Sequence, residues 1–321
     1  MENEDSYMRK TFVFGGIGLS QLMLGTAQFG MPYGIANKTG KPSYESVRDI
    51  VRCAYEGGIN CFDTAAAYGS SEEVLAKALS ELGITDVVTV VTKVPRIPCD
   101  LSTAREIDDF VEASVKRSLE RLGLPCLSFC FMHSEEDFIH AESLLKLKDS
   151  GLVEHVGFSV MTPDAARKII ASGFAEAVQL PTSILDHRFL RDRVFDSAEK
   201  SGMALFARSV FLQGLLLMAE SEIHGRLRDV TPFTSKLRQI GEDAGMSLSQ
   251  LALRYVLSLN GLTCAVIGAE SIDQVRENLR AFEDGPLDKA LMSAVEAAVP
   301  GLPDDILMPT AWRKETGSEN R

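Results

Sequence analysis

Short apolar runs alternate with helix-forming stretches from residue 22 to residue 282, and nothing else in the chain restricts its fold as much. LMLGTA (22–27), INCFDT (59–64), VVTVVTKV (87–94), LSFCFMH (127–133), EHVGFSV (154–160), AEAVQLP (175–181), MALFARSV (203–210) and CAVIGA (264–269) read as strands. They are almost continuously apolar, the pattern of strands covered on both faces. Helices are expected over 43–57, 70–82, 103–123, 135–151, 163–173, 188–201 and 271–282, and two more, 232–244 and 247–259, precede the last strand. Their ends carry the usual punctuation: Ser43 opens one, Pro163 lies in a first turn, and Gly151 and Gly173 stand at helix ends. Ahead of them TFVFGGIGLS (11–20) reads as a hairpin turning on glycines. Eight successive β→α units without a linker fit a closed (β/α)8 TIM barrel with an N-terminal β-hairpin and an extra helix before the last strand. An open sheet with a dinucleotide fingerprint is the competitor. Its one candidate, Gly15-Gly16-Ile17-Gly18, lacks the GxGxxG spacing and lies in the hairpin. Residues 1–321 are read as one barrel domain, with disordered tails over 1–10 and 310–321.

Composition narrows the function classes. The net charge of −12, with no basic stripe, argues against a nucleic-acid partner. No apolar run reaches the roughly 18 residues that cross a bilayer, so no membrane partner is expected. MENEDSYMRK lacks an apolar signal core, which makes the cytoplasm the default location. The cysteines at 53, 61, 99, 126, 130 and 264 form no CxxC pair and stand beside no histidine at ligand spacing. They read as reduced, mostly buried small hydrophobes, and no metal is expected.

In a barrel of this kind chemistry collects at the C-terminal ends of the strands. Asp63 ends the second strand, Lys93 the third, His133 the fourth, Ser159 the fifth, Gln179 the sixth and Arg208-Ser209 the seventh. Any one of them alone could be structural: an ion pair, a core histidine, a packed tyrosine. A lysine and a histidine that each close an apolar run need partners, because an unpaired buried charge is costly. Asp63 can pair with Lys93, and Lys93 can lie against Tyr68, a tyrosine on the turn between a buried strand and a helix. A cation there would stabilise tyrosinate and lower the phenol from its usual pKa of about 10, with a hydrogen bond from His133 on the other side. The product would be a proton donor suited to a carbonyl oxygen while hydride reaches its carbon, and hydride requires a cofactor.

LGTAQFG (24–30), GGINCFDTAAAYGSSEE (57–73), VVTKV (90–94), CFMHS (130–134), VGFS (156–159), AVQLP (177–181), ARSVFLQGLL (207–216) and AVIGAESIDQVREN (265–278) together resemble the aldo-keto reductase superfamily, in family order over nearly the whole chain. The resemblance implies an NAD(P)H-dependent aldo-keto reductase or alcohol dehydrogenase whose catalytic tetrad falls on Asp63, Tyr68, Lys93 and His133, with Tyr68 as general acid. It implies NADP or NAD as cofactor, bound in extended form without a Rossmann fold. The matching cofactor positions are Gly25, Thr26, Ser159, Gln179, Arg208, Ser209, Gly214, Gly268, Glu270, Ser271, Gln274, Arg276, Glu277 and Asn278. Phe29 and Tyr33 are expected to wall the substrate pocket, with loop 211–230 and the tail around Trp312 closing over it.

The departures from the family pattern are informative. Val160 replaces the asparagine that usually follows the strand-5 serine, which leaves the carboxamide grip to Ser159 and Gln179. Arg208 replaces the tyrosine that usually stacks on the nicotinamide; a guanidinium can also stack, or reach a cofactor phosphate or an anionic substrate group. Glu270 would repel a 2′-phosphate but accept a ribose 2′-OH, so NADH is expected to serve at least as well as NADPH, unless Arg276 reverses this. A small carbonyl or alcohol is the expected partner, possible sugars included, and a monomer or small homo-oligomer the expected state. Two other functions stay open. One is a nucleotide-binding regulatory subunit with little turnover, against which the intact tetrad argues. The other is a lyase using Lys93 as a Schiff-base amine, which needs a neutral lysine where Asp63 favours the charged one.

Overall fold

Alternation along each strand decides which side chains enter the barrel. Successive side chains of a strand point to opposite faces. Cys61 and Asp63 therefore share one face and Phe62 takes the other. Cys61 joins a cluster with Met23, Val91, Phe129, Phe131 and Phe206 inside the barrel, and Phe62 joins the larger cluster between strands and helices.

The computed structural model describes residues 11–299 and 301–312. Two strands, β1 (Thr11–Phe14) and β2 (Ile17–Ser20), pair antiparallel as the hairpin. Eight parallel strands then close a barrel: β3 (Leu22–Gly25), β4 (Cys61–Asp63), β5 (Thr89–Val94), β6 (Leu127–Met132), β7 (Val153–Ser159), β8 (Ala177–Pro181), β9 (Ala204–Arg208) and β10 (Cys264–Gly268). The fold is thus the (β/α)8 TIM barrel with N-terminal hairpin. Leu19 of the hairpin belongs to the interior cluster, with Phe14 and Ile17 packed against it, so the hairpin plugs one barrel end. At the barrel centre the rings of Phe131 and Phe206 stack with centroids 5.7 Å apart. All six cysteines are free.

Helices fill the connections, and their ends follow local chemistry. Thr103 and Glu106 form a reciprocal capping box on the helix Ala104–Leu122, which satisfies otherwise orphaned amide groups. The extra helices before β10 are Thr231–Asp243 and Leu248–Leu257. Three stretches depart from the reading of the sequence. Residues 135–151 begin as a 3-10 segment, Glu135–His140, before the α-helix Ala141–Asp149. The segment 188–201 splits into Arg188–Arg191 and Val194–Lys200 around Arg193, whose φ of 55° interrupts the helix. Beyond residue 284 the chain forms helices at Lys289–Ala298, Asp304–Leu307 and Pro309–Trp312. Of the expected tails, 1–10 and 313–321 lie outside the described residues, whereas 310–312 close that last helical turn. No helix among the described residues is long and apolar enough to cross a membrane.

Candidate active site at the barrel mouth

The last inward-facing residue of β4 is Asp63, and that of β5 is Lys93. Lys93 as a whole is 1% exposed. It donates to Asp63 Oδ1 at 2.7 Å and to Thr64 O at 2.8 Å. Gln179, arriving from β8, donates its Nε2 to the same Asp63 oxygen at 2.7 Å. Its other amide atom, Oε1, is buried with no hydrogen-bond partner. A buried oxygen without a protein partner can accept from a ligand donor or water.

Tyr68 lies on the turn after β4, and a hydroxyl network fixes that turn. Thr26 Oγ1 donates to Asp63 O, Ser71 Oγ donates to Thr26 O, and Thr64 Oγ1 donates to Ser71 Oγ. The backbone of Gly30 presses on the same turn: a Cβ there would lie 1.7 Å from Tyr68 O, so only glycine permits the approach. Lys93 Nζ sits 5.2 Å from the centre of the Tyr68 ring. The His133 and Tyr68 rings meet edge to face, with centroids 5.6 Å apart. The four residues of the expected tetrad therefore converge.

Their electrostatics differ from the expectation. The Tyr68 phenol is held well above its ordinary value of 10.0, by burial first and then by the Asp63 charge. The Arg208 charge opposes the rise without cancelling it, and the Lys93 ammonium is engaged by Asp63. Burial likewise lowers Lys93, with Asp63 opposing. His133 is lowered to about 3 by burial and then by the charges of Lys93 and Arg208, so its imidazole is neutral at physiological pH. The His133 contact with Tyr68 is a ring contact, not the expected hydrogen bond.

A cleft of about 270 Å³ runs from Asp63 and Tyr68 past Arg208 to Glu270, Gln274 and Asn278. Gly25 and Gly268 lie opposite each other in register along one wall. Ser209 and Gly214 line the stretch after β9, where Ser209, Leu212, Gln213 and Gly214 all have positive φ. Non-glycine residues held in that region cluster at functional sites. At the far end Ser271 caps the helix Ile272–Glu283 by accepting from Gln274 N, and Gln274 Oε1 accepts from Glu270 N. Glu277 accepts from Ser249 Oγ beside it. The segment after β3 arches over the cleft: Ile35 N donates to Gln213 O at 3.1 Å, and Gln213 Nε2 donates to Tyr33 Oη at 3.2 Å.

Several expected site residues stand off the cleft or are committed to protein partners. Phe29 is fully buried in the outer core and does not wall the cleft, because its helical turn faces the barrel's own packing. Arg276 is exposed and paired with Asp273 one turn back, off the cleft wall. Thr26 reaches the wall, but its hydroxyl is committed to Asp63 O and Ser71. Ser159 is buried at the end of β7 in register with Gln179. Trp312 does not close the cleft; its Nε1 donates to Asp305 O and Ile306 O. Gln213, in the loop expected to close over the pocket, lines the cleft, and so do Gln28, Asn37 and Ser249, which the sequence reading does not single out. Only Asn37 carried a signal: NKTG is a turn sequence, and Asn37 Oδ1 accepts from Thr39 N and Gly40 N.

The Aldo/keto reductase family model matches residues 21–300. D-arabinose 1-dehydrogenase of Saccharomyces cerevisiae is 28% identical over 288 residues, 83% of each chain. L-glyceraldehyde 3-phosphate reductase of Escherichia coli is 26% identical over 278 residues, 75% of this chain and 80% of that one. Among solved structures, an aldo-keto reductase from Bacillus halodurans in its holo form superposes with a TM-score of 0.73 at 24% identity, over 91% of this chain and 96% of that one. The chain belongs to the aldo/keto reductase family and is an oxidoreductase.

Proposed function

We propose that this reductase interconverts an aldehyde or ketone and an alcohol with NADH or NADPH, Tyr68 acting as the general acid and base. The observation that carries the reading is the convergence of a protonated, half-buried Tyr68 with the Asp63–Lys93 pair and neutral His133 at one end of a long cleft. A bound nicotinamide would supply or accept the hydride.

The cleft suits an extended dinucleotide. The orphan Gln179 Oε1 can accept from a carboxamide, a role shared with Ser159. The positive-φ turn over 209–214 can present amide groups to phosphate oxygens. The capped N-terminus of Ile272–Glu283, with Glu270, Glu277 and Asn278 beside it, would hold the adenosine end. Glu270 lines the cleft and favours a free 2′-hydroxyl over a 2′-phosphate, whereas Arg276 lies off the cleft wall. NADH is therefore proposed to serve at least as well as NADPH.

In the reductive direction the Tyr68 hydroxyl gives its proton to the carbonyl oxygen and becomes a phenolate. Lys93, pinned by Asp63 and Thr64 O, is the cation that receives that new charge. His133, neutral, can hydrogen-bond the same oxygen without adding charge. The relatives named for arabinose and glyceraldehyde 3-phosphate support a sugar-like or otherwise polar carbonyl. A thermal-shift titration with NADH and NADPH, followed by a carbonyl screen with wild type and Tyr68→Phe, tests the proposal. Stabilisation by nucleotide and turnover lost in Tyr68→Phe is expected. No shift with either nucleotide would overturn it.

A further inference from the structure

Arg208 is a cation in this cleft with no anion partner among the described residues. Its Nη2 donates to Val160 O at 3.1 Å and touches Met161 Sδ at 2.7 Å, and its Nη1 contacts Ser209 Oγ at 3.3 Å. These partners are neutral. Among the described residues no carboxylate pairs with it, whereas Lys93 has Asp63, Arg121 has Glu72 and Arg188 has Asp186. A partly buried guanidinium bonded only to neutral acceptors is poorly compensated for the water it gives up. The arrangement becomes favourable when a ligand brings the charge.

The direction of the side chain decides where that charge would sit. Arg208 ends β9, β8 lies next to it and β7 beyond. A bond from Arg208 to Val160, which follows β7, carries the guanidinium across the end of β8, over the barrel mouth. It is thus turned away from β10 and from the cleft end that holds Glu270 and Glu277. Its charge is felt at Tyr68, Lys93 and His133, the groups a carbonyl oxygen must reach.

Resting on the reductase reading above, we infer that the carbonyl substrate carries a carboxylate or phosphate a few bonds from the reacting carbon, and that Arg208 receives it. The planar fork of a guanidinium fits either group through two parallel hydrogen bonds. Its anchoring by Val160 O and Ser209 Oγ sets the plane of that fork before the ligand arrives. The same chemistry could be supplied by the nucleotide pyrophosphate, and the experiment separates the two sources.

The test compares 4-carboxybenzaldehyde with benzaldehyde, and glyceraldehyde 3-phosphate with glyceraldehyde, in the full chain and in Arg208→Met and Arg208→Lys. The readout is the ratio of kcat/KM for the anionic to the neutral member of each pair, which cancels general damage to a variant. The wild type should favour the anionic member of at least one pair by about tenfold or more, as for a hydrogen bond to a charged group. Arg208→Met should bring that ratio near one, and Arg208→Lys should restore part of it. A wild-type ratio near one in both pairs would overturn the inference. So would an unchanged ratio accompanied by weakened NADH and NADPH binding in Arg208→Met, which would assign the guanidinium to the pyrophosphate. If no aldehyde is turned over, the reductase reading fails, and calorimetry with inorganic phosphate and 4-carboxybenzaldehyde judges the anion site separately. Saturable binding lost in Arg208→Met supports it; no binding overturns it.

Discussion

Lys93 Nζ and Asp63 Oδ1 are 2.7 Å apart at the ends of neighbouring strands, with 0% and 6% of their side chains exposed. Each residue is tenable there because of the other. Burial and then the Asp63 charge hold the Tyr68 phenol well above its ordinary value, so it stays protonated. A general acid for carbonyl reduction must hold its proton until charge develops on the substrate oxygen, and this arrangement keeps it there.

Replacing the Tyr68 hydroxyl removes the proposed proton donor and little else. Tyr68→Phe should lower kcat/KM by about 10²- to 10⁴-fold, the usual contribution of general acid catalysis. The dissociation constant for NADH or NADPH, read from fluorescence titration, should change little. Retained turnover would remove Tyr68 from the mechanism.

His133 links stability to pH. Its folded-state pKa of about 3 lies below the ordinary 6.5, so below pH 6.5 the unfolded chain takes up a proton that the folded chain refuses. Stability therefore falls as the pH drops through 6.5, and the loss from this group between pH 7 and pH 5 is about 2 kcal/mol. Urea unfolding at both pH values should show a change smaller by about that amount in His133→Gln. Equal changes in the two proteins would mean that His133 titrates normally when folded.

Glu270 is proposed to set the nucleotide preference. Glu270→Ala should improve NADPH binding relative to NADH by about tenfold, because one repulsive charge near a 2′-phosphate is removed. Paired titrations of wild type and variant give the ratio directly. A wild type that already binds NADPH much more tightly than NADH would contradict the assignment.

Gly157 in β7 tests the packing of the barrel. A Cβ there would meet Phe131 Cε1 at 2.6 Å and Ala177 O at 2.7 Å, a ring in the interior stack and a strand backbone. Neither can move freely, so Gly157→Ala should lose about 1–3 kcal/mol of stability by overpacking. An unchanged denaturation midpoint would show that the barrel relaxes around the added methyl.

Much of this molecule is readable one segment at a time. The period-2 and helical patterns are local, so element type and inward face follow from neighbours in sequence, and with them the placement of Asp63 and Lys93 at the barrel mouth. The partners of those residues are another matter. Gln179 lies 116 positions from Asp63 and shares one of its oxygens only because the sheet closes in this register. Phe29 and Tyr33 look alike as candidate pocket walls, yet one is sealed in the core and the other lines the cleft. The helices past residue 284 are not legible in the sequence, because their apolar faces make sense only against the barrel's outer helices. Sequence alone determined the eightfold order of strands and helices and the residue types at the strand ends, because these depend on short-range periodicity. Tertiary structure alone decided which long-range partners meet, which hydroxyl keeps its proton and that the Arg208 guanidinium crosses the barrel mouth, because such contacts and burial depend on distances between residues far apart in the chain.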